Sequence, residues 1–526
     1  MEYDLIIKNA LIINGTGEKP FRGAIFIKKG KIADVVKGDI CGDIVAKEIY
    51  DAKQNVLAPG FIDIHCHTDE TIFKYPYADS KILQGVTTDI GGNCGISYAP
   101  MRDESLELLE NYVGNAPFKW NSFGELLEYY DSIHPSVNLA CGVGHGTLRI
   151  AAMGFDARKA NKIEMDDMKA MLLDAFDEGA FFLSSGLIYP PGIYADRDEL
   201  VELCKIVSKK DAYYATHMRD EGINIIKALE EAISTAKESE ASLEVSHHKL
   251  CRREVWGQSK DTISMIDSAR SDGVDVWVDQ YPYNASSTYL SSNIPSWAFE
   301  GGINALQQKL LNKEIKSKIL AEMDESHLNR WHDITLGYSS STKYKKFVGK
   351  NMEEIAASLG CTASESCIDI ILEDGNDALE VNYGMCEEDI EYIMKQPYVS
   401  ICSDGWAYSM DYTGLPHPRS FGAFPRVLSH YCRERKLFPW EEAIYKMTGL
   451  PASRAGLQDR GTITKGNWAD LVVFDPLKIK DDPSYLEPKK SCSGINRVYV
   501  NGVLTAENGK HTKARAGSVL RKSKNI

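Results

Sequence analysis

Two histidines one residue apart, His65 and His67, close an apolar run, Phe61-Ile62-Asp63-Ile64, which Pro59-Gly60 separates from what precedes it. The run reads as a β-strand, and residues i and i+2 of a strand point to the same side, so Asp63, His65 and His67 are expected to share a face. Neighbouring neutral imidazoles aimed into a cavity are the start of a zinc site. Further donors end other apolar runs. They are Cys94 in Gly91-Gly92-Asn93-Cys94-Gly95, His217 in Ala215-Thr216-His217, His247 with His248 in Val245-Ser246-His247-His248-Lys249, and Asp404 in Ile401-Cys402-Ser403-Asp404. Any one of these has a structural explanation: a packed histidine, a buried thiol, an Asp-Gly turn. Together they make a donor set of imidazole, thiol and carboxylate suited to a transition metal, with a carboxylate that can also move protons.

Such groups act together only if the fold brings the strand ends to one place. At 526 residues the chain is too long for one core, and two or three domains are expected. Between about 58 and 454, strand-like runs alternate with helix-like ones. The strands are expected at Phe61–His67, Val86–Ile90, Asn138–Val143, Ala180–Ser184, Tyr213–His217, Leu243–His247, Val274–Tyr281 and Tyr398–Ser403. Helical periodicity marks Asp166–Glu178, Asp198–Lys209 and Gly222–Glu238. Eight such alternations define an α/β fold, a (β/α)8 TIM-like barrel, whose C-terminal strand ends carry the chemistry. The seventh and eighth strands lie too far apart for one helix, so an insertion is expected at about 286–347, with a helix over Ile303–Glu325. Residues 1–57 and 455–526 read as short strands with turns, including Leu5–Lys8, Leu11–Asn14, Ala24–Lys28 and Val498–Thr505. Neither piece has room for a core, so the two are expected to complete one discontinuous small β-sandwich domain.

The composition is 43% apolar and 26% charged, with a net charge of −15, which argues against a nucleic-acid or anionic-membrane partner. The one basic cluster, around Arg521, Lys522 and Lys524, reads as a solvated terminus. No signal peptide and no membrane-spanning run is visible, and the 12 cysteines form no CxxC pair or dense framework. Reduced thiols in a cytoplasmic protein are expected.

The site residues resemble those of the metal-dependent amidohydrolases, and within them the D-aminoacylases, or N-acyl-D-amino-acid deacylases. The resemblance rests on His65-Cys66-His67, Gly92-Asn93-Cys94-Gly95, Ser184–Pro190, Thr216–Glu221, Ser246–Lys249, Tyr281-Pro282-Tyr283, and His417-Pro418-Arg419 with Phe424-Pro425-Arg426. It implies that Cys94, His217 and His247 hold one tight Zn2+, with His65, His67 and Asp404 around it as a possible weaker second site. Many amidohydrolases bridge two metals through a strand-four lysine. This chain has Leu183-Ser184-Ser185-Gly186 there, and the resemblance implies the Cys94 thiolate as ligand instead. It also implies hydrolysis of a small-molecule N-acyl-D-amino acid, and the D-preference comes from resemblance alone. In that chemistry Asp404 is general base and then general acid, and His67 assists at the carbonyl oxygen. Lys249, two residues past His247, together with Tyr281, Tyr283 and Arg419, are the candidate contacts for the substrate's carboxylate. Tyr189 and the loop Ser286–Trp297 are candidates for the side-chain pocket. That loop carries no cation, which favours a neutral or apolar side chain. Two alternatives stand beside this reading: a hydantoinase- or dihydroorotase-like hydrolase of cyclic amides, and a non-catalytic scaffold of the same fold. The oligomeric state is left open by the sequence.

Overall fold

The computed structural model describes residues 2–40, 45–114 and 116–523. Its centre is the eight-stranded parallel barrel, with strands Phe61–Asp63, Val86–Gly91, Asn138–Cys141 continued by Val143–Gly144, Phe182–Gly186, Tyr213–His217, Ser242–Val245, Val276–Gln280 and Val399–Ile401. Successive strands pair in parallel in chain order. Strands eight and one close the ring just past their ends, where Asp404 N donates to His65 O at 2.8 Å and His67 N to Gly405 O at 3.1 Å. Strand one ends at Asp63, so His65 and His67 lie in the loop beyond it rather than on the strand as expected.

The outer helices follow local rules. In Lys162–Glu178, Asn161 caps the N-terminus by accepting from Ile163 N and Glu164 N, and Glu164 reaches back to complete a capping box. The helix buries Met168, Leu172, Ala175 and Phe176, one stripe at helical spacing, and stops at left-handed Gly179.

The N- and C-terminal strands form one continuous nine-stranded sheet, joined where Val56–Pro59 pairs antiparallel with Leu471–Phe474. A core of Leu5, Ile7, Ile25, Leu57, Leu471 and Val473 draws on both ends of the chain. Leu5–Lys8 and Leu11–Asn14 are not separate strands. Tyr3–Ile12 runs through, with a bulge between Ile7 and Ala10 where Asn9 takes a φ of 55°. Nor is the C-terminal basic cluster a free solvated tail. Leu139 N donates to Ser518 O, Leu520 N to Leu139 O and Lys522 N to Gly179 O, which lays the segment along the third barrel strand. Lys524 lies outside the described residues.

The insertion runs further than expected, past Phe347 to Asn382. Ser286–Tyr289, Ile334–Tyr338 and Leu379–Asn382 form a three-stranded antiparallel sheet. A separate core beside it includes Leu306, Ile319, Leu336, Ile355 and Ile371. The expected helix Ile303–Glu325 is two helices, broken at Asn312, whose side chain caps the second. Helices Met352–Leu359 and Ala363–Asp374 also belong to this unit, and among the described residues no single helix is long and apolar enough to cross a membrane.

Candidate metal centre and active site

The loop after strand two delivers a thiol into the ring of strand ends. Cys94 Sγ lies 3.3 Å from His247 Nε2, 3.4 Å from His65 Nε2 and 3.7 Å from His217 Nδ1. Ligand bonds of about 2.3 Å to sulfur and 2.0–2.1 Å to nitrogen, set tetrahedrally, require S···N separations of about 3.6 Å, so these donors fit zinc. Burial pushes the Cys94 thiol up, but His247, His65 and His217 together pull it well below its ordinary value, toward thiolate. The close approach depends on two glycines. A Cβ on Gly92 (φ +81°) would lie 2.3 Å from Gly142 O, and one on Gly95 (φ +79°) would lie 2.5 Å from Gly186 N.

Asp404 faces the thiol from the other side. Its Oδ1 is 3.2 Å from His67 Nε2 and 3.6 Å from His65 Nε2, and its Oδ2 accepts from Arg419 Nη1 at 2.6 Å. Burial raises the Asp404 carboxyl, but Arg419, His247 and His67 hold it well below the usual carboxylate range. Cys94, His247 and Asp404 have φ values of 52°, 36° and 50°, a left-handed conformation that non-glycine residues rarely hold without surrounding support.

Each imidazole has a carboxylate on its outer side. Asp279 Oδ2 is 3.2 Å from His65 Nδ1, and Glu70 Oε1 is 2.8 Å from His67 Nδ1. Glu221 serves two, with Oε2 3.3 Å from His217 Nε2 and Oε1 3.1 Å from His247 Nδ1. These contacts orient the rings and select the nitrogen left for a metal. Burial pulls His65 down, but Asp279 and Cys94 lift it to about 10; Glu70 and Asp404 likewise lift His67 against burial. The field therefore favours a cation where these side chains meet. Sequence reading missed Glu70, Asp279 and Glu221. Their spacing was the available signal: Glu70 stands at i+3 from His67 and Glu221 at i+4 from His217.

The cavity over this cluster has a volume of about 510 Å³ and reaches from Cys94 and Asp404 to the inserted unit, with Ser287, Thr288 and Tyr289 on its wall. Tyr189 lines it, its hydroxyl bonded to Thr288 Oγ1 at 2.8 Å and its ring edge-on to His217. Lys249 also lines it, held by Glu221 Oε1 and close to His247 Nδ1, both at 2.6 Å. The structure does not bring Tyr281, Tyr283 or Arg419 to the cavity surface. Tyr281 is buried beneath the Arg419 guanidinium, 4.9 Å from its ring, and Tyr283 packs under Arg426 and against His417. His248 turns away to Thr262, as expected, but strand six ends at Val245, and what precedes His248 is the left-handed turn at His247 (φ 36°) beyond the strand. Asp63 does not share the face of His65 and His67 but pairs with buried Lys81 at 2.7 Å. The loop's lack of cations does not set the pocket's charge, because Arg252 and Arg330 reach the same wall from outside it.

A barrel with N- and S-donors and a carboxylate at its C-terminal mouth defines a metal-dependent hydrolase of the amidohydrolase class. The sequence matches the Amidohydrolase family over residues 48–327 and 403–506. It is 34% identical over 522 residues to a D-aminoacylase of Alcaligenes xylosoxydans xylosoxydans, covering 98% of this chain and 97% of that one. A solved D-aminoacylase with a binuclear metal centre, described by one-metal activation and second-metal attenuation, superposes with a TM-score of 0.84 at 34% identity, over 99% of this chain and 100% of that one. The N-acyl-D-glutamate deacylase of Bordetella bronchiseptica, solved with zinc and a phosphonate mimic of the tetrahedral intermediate, superposes with a TM-score of 0.83 at 31% identity, over the same shares. The chain belongs to the amidohydrolase family and, within it, to the D-aminoacylases.

Proposed function

We propose that this protein hydrolyses the linear amide bond of N-acyl-D-amino acids, releasing a carboxylic acid and a free D-amino acid. The observation that carries the reading is the Cys94 thiol within 3.3–3.7 Å of three imidazoles, in a cavity shared with the Asp404 carboxyl group. Cys94, His217 and His247 would hold one tight zinc, and His65, His67 and Asp404 a weaker second ion. When bound, zinc supplies a Lewis acid that activates water and polarises the amide carbonyl.

The chain's own groups then have separable tasks. Asp404, ionised and fixed between His67 and Arg419, accepts the proton of the attacking water and returns it to the leaving nitrogen. His67, its Nδ1 on Glu70, offers Nε2 to the carbonyl oxygen as negative charge develops there. Lys249, on the cavity wall, supplies a cation for the substrate's α-carboxylate. Arg419 stays behind Asp404, its Nη1 donating to Asp404 Oδ2 and its Nη2 to Ser287 O, with Tyr281 beneath it. Tyr189 shapes the wall beside His217. A cyclic-amide hydrolase with a strand-four lysine has no counterpart here, since Ser185 occupies that strand end and bonds Tyr214 and Thr216. The eleven described cysteines are unpaired thiols, which supports a cytoplasmic setting.

Acetate release from zinc-loaded protein with N-acetyl-D- and N-acetyl-L-amino acids, acidic and neutral side chains included, tests the reading. Turnover of D-substrates at least about 100-fold faster than L is expected; equal rates on both enantiomers refute it. Glu221→Gln keeps the shape but removes the charge shared by His217, His247 and Lys249. It should weaken zinc binding about 10- to 100-fold in competition with a chelator.

A further inference from the structure

Asp63, Cys66 and Asp89 form a second buried cluster, with donor atoms close enough together for a metal. A cation already occupies it. Lys81, fully buried on the short helix Asp79–Ile82, uses all three of its N–H donors. They go to Asp63 Oδ2 at 2.7 Å, Ser403 Oγ at 2.7 Å and Gly405 O at 3.0 Å, with Asp89 Oδ1 at 4.0 Å. The two residues it reaches on strand eight's extension are the immediate neighbours of Asp404. Ser403 is tied again, because its N–H donates to Asp63 Oδ1 at 2.8 Å and its hydroxyl donates to Asp63 Oδ2 while accepting from Gly405 N at 3.0 Å. Asp63 itself lies two residues before His65. The same short stretch carries the two backbone bonds that close the barrel, Asp404 N to His65 O and His67 N to Gly405 O.

We propose that Lys81, acting through Asp63 and Ser403, is the positioning residue that holds Asp404 in its left-handed conformation and aims its carboxylate at the reacting amide. The physical case is one of constraint. An Asp404 φ of 50° is unfavourable for a residue with a Cβ, and relaxing it would swing the carboxylate away from His67 and Arg419. With Ser403 and Gly405 both fastened to one ammonium, that relaxation requires breaking charge-assisted bonds in a dry core. The three Lys81 hydrogen bonds go to strand one and to the extension of strand eight, whereas Cys94, His217 and His247 follow strands two, five and six, so Lys81 acts on proton transfer and not on the tight metal ligands. The inference rests on the reading of Asp404 as the proton-transfer group.

The test uses the zinc-loaded full chain. Ser403→Ala should keep the parent's zinc content and a KM within about 3-fold, while kcat falls about 10- to 100-fold, the size of effect expected from misplacing a reacting group by a fraction of an ångström to an ångström. Lys81→Met leaves Asp63 and Asp89 buried without a cation and is expected to destabilise the fold, so it is paired with Lys81→Met/Asp63→Asn. That double variant should recover thermal stability over the single one without recovering kcat. A parent-like kcat in Ser403→Ala, or kcat returning together with stability in the double variant, overturns the proposal. Asp404→Asn serves as the control: if it retains kcat, the role assigned to Asp404 fails, and that failure is separate from any result at Lys81.

Discussion

Cys94→Ala is expected to abolish tight zinc binding and amide hydrolysis together. Cys94 is the one group that faces His65, His217 and His247 at once, and its thiolate is the anionic member of the three-residue tight set. Removing it leaves imidazoles whose outer nitrogens are committed to Asp279 and Glu221, and a dication then lacks its soft anionic donor. Zinc affinity should fall on the order of a thousandfold or more, a loss of about 4 kcal/mol, measured by chelator competition. Hydrolysis should fall in parallel at fixed zinc. Cys94→Ser should not rescue either property, since a hydroxyl stays protonated where a metal-bound thiol does not. Zinc bound at the parent's affinity by Cys94→Ala would refute the ligand assignment.

Asp404→Asn should separate chemistry from metal binding. The amide keeps a partner for Arg419 but can neither take nor return a proton, so kcat should fall about 10²- to 10⁴-fold while the tight zinc stays. The pH dependence carries a sign of its own. Because Arg419, His247 and His67 depress Asp404 against burial, its ionised form contributes stability that is present above the unfolded value of about 3.9 and is lost as the pH falls through the lower folded value. Asp404 therefore stays ionised at mildly acidic pH, and activity near pH 5 is not limited by its protonation. Arg419→Met removes the nearest charge and should move the acid limb of kcat/KM upward. A limb that stays in place would mean that another group sets it.

The family's chemistry was legible because it is written locally. Strand five occupies Tyr213–His217, the range that apolar periodicity assigns to it, and His217 ends it. All six of the site's donor residues stand at or just past the ends of such runs, and His248 turns outward to Thr262 while His247 faces Cys94, although both lie past Val245, where strand six ends. Apolar spacing decides which face a side chain takes, so it also decides which polar residues can converge at a barrel mouth.

What the sequence does not carry is how those residues are held. The extent of the insertion depended on Leu379–Asn382 pairing with Ser286–Tyr289 nearly a hundred residues earlier, a contact no local pattern announces. Tyr281 and Tyr283 stand just past the end of strand seven at Gln280, yet the packing of Arg419 and Arg426 over their rings sets them beneath the cavity instead of on its wall. His65 and His67 lie beyond the strand because its ladder stops at Asp63, where Lys81 takes over the carboxylate. Residue types and spacing determined which donors this protein has and the chemistry they can do. Only the tertiary structure decided which imidazole nitrogens face Cys94, and that Asp279 holds His65 and Glu221 holds His247, because those partners come from different strands and meet only when the barrel closes.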